Sequence, residues 1–76
     1  MKELLTYIAQ NLVEHPEQVS VNQMDGESGI VLELRGAPDD MGKVIGRQGR
    51  IAKEIRALMR SVAQRQGLRV SVEIID

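Results

Sequence analysis

Cysteine, tryptophan and phenylalanine are all missing from this chain, and a single tyrosine is its only aromatic residue. Without thiols it can be neither stapled by disulfides nor loaded with zinc through thiolates. Without rings, stacking of nucleobases on aromatic side chains is largely closed to it, so any contact with a nucleic acid has to rest on charge, backbone amides and aliphatic surface. No apolar run approaches the roughly 20 residues of a membrane span or has the form of a signal-peptide core, which gives a cytoplasmic reading. Histidine occurs once, at position 15, with no second histidine or cysteine to share a metal and no paired acid, base or nucleophile to build catalysis on. Neither an enzyme nor a cofactor-binding protein is expected.

What remains is ordinary for a folded protein: 42% hydrophobic and 28% charged residues over 76 positions. That length makes one domain, 1–76, close to the size at which a single core only just suffices. The net charge of −1 and pI near 5.8 conceal an asymmetry. Residues 1–40 carry two basic against eight acidic side chains, and residues 41–76 carry eight basic against three acidic. Positive charge concentrated in one half is a local footprint for phosphate, in spite of the acidic total.

The basic half opens on Gly42-Lys43-Val44-Ile45-Gly46-Arg47-Gln48-Gly49-Arg50-Ile51. Gly46 and Gly49 let the backbone turn sharply and let another molecule come close, while Arg47 and Gln48 form the tip between them. A helix that starts directly afterwards presents free N–H groups and the positive end of its dipole. The stretch is not a nucleoside-triphosphate loop, which needs Lys-Ser/Thr directly after the second glycine, and its Gly-x3-Gly-x2-Gly spacing is not that of a dinucleotide fingerprint.

Around this loop the periodicities predict six elements. Leu5, Ile8 and Leu12, with Leu4 beside them, mark an amphipathic helix over 2–14, ended by His15-Pro16, which leaves the histidine at the helix C-terminus. Val19 and Val21 indicate a short edge strand over about 18–24. A turn at 25–29 leads into a strand over 30–35 with Ile30, Leu32 and Leu34 on one face. Pro38 and the dipole-complementing pair Asp39-Asp40 open a short helix over 38–45. A long helix over 50–66 places Ile51, Ile55, Leu58 and Val62 on its buried stripe, with Ala52, Met59 and Ala63 flanking it. Met59, Val62 and Ala63 widen the stripe near the end of this helix, where either a second copy or the N-terminal helix can cover it. Gly67 stops this helix, and a last strand runs over 69–74. Strand, two helices, strand is a crossover, which permits parallel pairing of the second and third strands.

Val44-Ile45-Gly46-x-x-Gly49 followed by a basic helix, in the order α-β-β-α-α-β, resembles the type II KH domain over the whole length. Gly42 to Lys53, following Ala37-Pro38-Asp39-Asp40, is similar to the KhpA family of small stand-alone bacterial KH proteins. The resemblance implies an α+β fold, with a three-stranded mixed sheet and the helices packed on one face. It implies single-stranded RNA as ligand, with Gly46-Arg47-Gln48-Gly49 clamping the backbone, Lys43, Arg50 and Lys53 supplying charge, and Val44, Ile45 and Ile51 either flooring the bases or packing the core. It also implies a post-transcriptional regulator or RNA chaperone that acts in control of cell elongation, as a homodimer or paired with a larger KH protein, KhpB. One departure stands out: KH motifs commonly carry isoleucine three residues after the second glycine, where this chain has Ala52 and has its isoleucine one place earlier. A pure protein-interaction module and a single-stranded DNA binder are the competing readings; the two cations at the loop argue for nucleic acid over the former.

Overall fold

The computed structural model describes residues 1–75, so Asp76, the last position of the expected domain, lies outside them. Helix α1 spans Lys2–Gln10, strand β1 Ser20–Gly26, strand β2 Gly29–Arg35, helix α2 Met41–Ile45, helix α3 Arg50–Arg65 and strand β3 Val70–Ile74. Short 3-10 turns at Pro16–Gln18, Pro38–Asp40 and Arg47–Gly49 join them. No helix among these residues is long and apolar enough to cross a membrane.

The strands form one sheet in the order β1-β2-β3. β1 is antiparallel to β2, with Val21 opposite Leu34, and β2 is parallel to β3, with Leu32 opposite Val72. The expected mixed α+β sheet is therefore present, with β1 at an edge. Alternation sends Val21, Leu32, Leu34 and Val72 to one face, where they meet Leu5 and Ala9 of α1, Val44 of α2, and Ile55 and Met59 of α3. All the core-forming helices lie on that face, as the resemblance implies.

Three expectations need correction. The first helix stops at Gln10 and not at 14, because the Asn11 backbone N–H and side-chain Nδ2 both donate to the Tyr7 carbonyl, the latter at 2.7 Å, and close the last turn. Leu12 is left exposed, and His15 stands beyond the helix, away from its dipole. The second helix is split into a 3-10 turn and α2. The largest change is in α3, whose buried stripe is rotated: Ala52, Ile55, Met59 and Ala63 face the core, while Ile51 and Val62 are half-buried and Leu58 is 47% exposed. Met59, at 0% exposure, and Ala63, at 1%, are thus not spare surface for a partner.

The rotation predicts opposite outcomes for neighbouring truncations. Met59→Ala should destabilise the fold by about 2–5 kcal/mol in denaturant titration, whereas Leu58→Ala should cost less than about 1 kcal/mol. Equal costs would mean that the stripe read from the sequence is the one that is buried.

Candidate nucleic-acid interface

The glycine loop is shaped by three positive-φ residues within four positions. Gly46 has φ +77 and ψ 173, Gln48 φ +57 and ψ 27, and Gly49, the residue before α3, φ +74 and ψ 14. Gly46 is required twice over, by its positive φ and by Ile51: a Cβ at Gly46 would collide with Ile51 Cγ1 and lie 2.9 Å from the Ile51 nitrogen. At Gly49 there is open space, so only the left-handed backbone asks for glycine. The Gly46 N–H donates to the Gly42 carbonyl (2.8 Å) and the Gly49 N–H to the Gly46 carbonyl (3.1 Å), which closes the turn at both corners. The amides of Arg47 and Gln48 between them have no backbone acceptor among the described residues. Both side chains are exposed, and no side chain caps the first turn of α3. An anion approaching the tip meets free N–H groups, a helix dipole and an arginine together.

The remaining expected residues divide into separate roles. Arg50 and Lys53 are exposed on α3 and make no ion pair among the described residues. Lys43 is placed differently: its Nζ lies 3.1 Å from Glu14 Oε1 and 3.8 Å from Asp40 Oδ1. Val44 is 1% exposed and belongs to the core, so it cannot floor a base; Ile45 and Ile51 are half-buried, with Ile51 wedged beneath Gly46.

Asp40 is the residue whose part the sequence did not disclose. Asp39 stays exposed, but Asp40 is 1% exposed and caps no helix. Its carboxylate instead accepts the backbone N–H groups of His15 (2.9 Å) and Glu14 (3.2 Å), 25 and 26 residues away. This ties the chain after α1 to the start of the crossover, and Lys43 joins the same node. Burial by itself raises the Asp40 carboxyl, but the two amides, with His15 and Lys43 beside it, outweigh that and hold it below the usual 3.8. Glu14, His15 and Asp40 can each offer a ligand atom within 4.8 Å of the others, yet the Lys43 ammonium already supplies the positive charge that the two carboxylates face.

Comparison with known proteins fits this geometry. The family model described as KhpA/KhpB, KH domain, matches residues 2–74. The chain belongs to this family. Among relatives, the protein called RNA-binding protein KhpA of Clostridium acetobutylicum is 55% identical over 75 residues, covering 99% of this chain and 100% of that protein. The namesake from Chlamydia pneumoniae is 49% identical over 76 residues, covering 100% of this chain and 97% of its own, and that of Halalkalibacterium halodurans is 47% identical with both chains covered in full.

In this KH domain Lys43 of α2, just before the glycine loop, is held by Glu14 and Asp40. Removing Asp40 should loosen the tie between the 11–19 segment and the crossover. Asp40→Ala should lower the melting temperature by several degrees at neutral pH. Because the native carboxyl is held down, its contribution is fully present above its unfolded value and lost as pH falls through the depressed native one. The gap between wild type and Asp40→Ala should therefore close in acid; a gap that is the same at pH 3 and pH 7 would mean that the ionised carboxylate is not what stabilises the fold.

Proposed function

We propose that this chain is a non-catalytic, cytoplasmic single-stranded RNA-binding protein that holds the sugar-phosphate backbone of about four nucleotides at Gly46-Arg47-Gln48-Gly49. The observation that carries the reading is the loop tip: exposed Arg47 and Gln48, with backbone amides that have no acceptor, directly before an uncapped helix. Arg50 and Lys53 add charge along the strand, and Ile45 and Ile51 supply the half-buried aliphatic surface beside it. Lys43 acts through Glu14 and Asp40, as a support of α2. The names of the relatives support RNA as the ligand. With aromatic stacking unavailable, the contact is mainly electrostatic and each loop binds weakly, which suits a regulator or RNA chaperone that samples many transcripts.

Replacing Arg47 and Gln48 together by aspartate should abolish binding to single-stranded RNA with helical content unchanged, since both are exposed and aspartate tolerates the positive φ at position 48. In the wild type, neutralisation of about three phosphates by Arg47, Arg50 and Lys53 gives log K against log salt a slope of roughly −2. Unaltered affinity in the folded double variant, or a slope near zero, would remove the clamp.

Self-association is the second part of the proposal. A groove of about 210 Å³ between α1 and α3, lined by Ile8, Leu12, Ile51, Ile55 and Leu58, leaves apolar side chains in solvent. A second copy, or a larger KH protein of the KhpB kind, would cover them, and two loops on one strand would gain effective concentration. Sedimentation from micromolar to millimolar concentration should give a dimer mass that Leu58→Asp reduces to monomer. A monomer mass throughout would eliminate the homodimer.

A further inference from the structure

Helix α3 has three sides. At 100° per residue, Ala52, Ile55, Met59 and Ala63 form the core side, and Ile51, Glu54, Leu58 and Val62 the side toward α1. The third side carries Arg50, Lys53, Arg56, Arg60 and Gln64 in an unbroken row, all exposed. At 1.5 Å per residue this row runs about 15 Å from Arg50 to Arg60, away from the glycine loop. Arg56, midway, is anchored by its Nε on the Val72 carbonyl (3.1 Å), so the row lies along the β3 side of the helix.

At its far end the row meets a cleft of about 440 Å³ lined by Arg60 and Gln64 of the helix and by Gly67, Leu68, Arg69 and Val70 of the turn and strand that follow. The cleft is built on fixed backbone. The Leu68 N–H donates to the Ala63 carbonyl (2.8 Å) and the Gly67 N–H to Gln64 (3.1 Å), while the Arg69 carbonyl accepts from Ile30 (2.8 Å). Gly67 takes φ +70, and Gly29 lies so close to Arg69 that a Cβ there would be 2.5 Å from the Arg69 carbonyl oxygen. Neither Arg60 nor Arg69 has an acidic partner among the described residues. Two arginines that line one open cleft without acidic partners suit the negative charge of a phosphodiester.

We infer that the Arg60–Arg69 cleft is a second phosphate-binding position, which takes the backbone of the same RNA strand several nucleotides beyond those held at Gly46–Gly49. The inference rests on the RNA-binding reading above. The strand would follow the basic side of α3 from one end to the other, so the footprint exceeds the four nucleotides of the loop. The loop then supplies the anchor, and the cleft supplies a preference for longer single strands.

The test uses uridine oligonucleotides of four and ten residues, titrated by fluorescence anisotropy at several salt concentrations. Wild type should bind the 10-mer more tightly than extra registers alone explain. Arg60→Ala with Arg69→Ala should bind the 4-mer as wild type does, lose about tenfold on the 10-mer, and show a 10-mer salt slope shallower by about 1.4, the share of two phosphates. Lysine at both positions should restore most of the 10-mer affinity, which separates charge from any effect on folding. Unchanged 10-mer affinity and slope in the alanine variant would overturn the second position while leaving the loop in place, as would an equal loss on both lengths. Failure of the wild type to bind either oligonucleotide would overturn the loop reading and this one together.

Discussion

Parallel pairing of β2 with β3 is the constraint from which the rest of the architecture follows. Two parallel neighbours cannot be joined by a tight turn, so the chain between Arg35 and Val70 has to leave the sheet and return to the same end. It does so as α2, the glycine loop and α3, all on the face where Leu32, Leu34 and Val72 need cover. The loop is the apex of that crossover. Its position is decided by sheet topology before any of its own residues contribute, and Gly46 packed on Ile51 then sets the angle at which α3 departs.

α3 serves three surfaces with one helix because its residues at i, i+3 and i+7 divide cleanly. Ala52, Ile55, Met59 and Ala63 face the core, where Met59 is fully buried. Ile51, Leu58 and Val62 lie on the side toward α1, and Arg50, Lys53, Arg56 and Arg60 form the exposed third side, on which Arg56 reaches the Val72 carbonyl of β3. The helix thus has a buried side, a mostly aliphatic side that also carries Glu54, and a strongly basic third, and the proposed RNA path along the third side meets the groove proposed for self-association only near Ile51.

Electrostatics separates the chain in space as well as in sequence. The acidic first half does not merely balance the basic second half: Glu14 and Asp40 draw Lys43 into a node that fastens the 11–19 segment to the crossover. One cation of the motif is committed to structure by this, leaving Arg47, Arg50 and Lys53 free beside the loop. The node is buried enough at Asp40 for its hydrogen bonds to matter, and the free cations are exposed enough to be screened by salt.

Element order, the mixed sheet and the glycine loop were legible in the sequence, because they rest on local signals: alternation in Ile30-Val31-Leu32-Glu33-Leu34, the amphipathic run after Arg50, and glycines where the backbone must turn. The family likeness was legible for the same reason. The rotation of α3 was not, because a helix in which Leu58 and Met59 are both apolar offers two overlapping stripes, and only the shape of the sheet and of α1 selects the one that is buried. Nor was the end of α1, where one Asn11 side chain competes with the backbone. The set of elements and the conformational freedom of the loop depend on neighbours within a few positions, and the charge asymmetry is a count along the chain, so all three could be read from the sequence alone. That Asp40 holds the Glu14 and His15 amides, and that Arg60 and Arg69 line one cleft, was decided by tertiary packing, because those residues lie at separations along the chain that carry no periodic signal and are closed only by the fold.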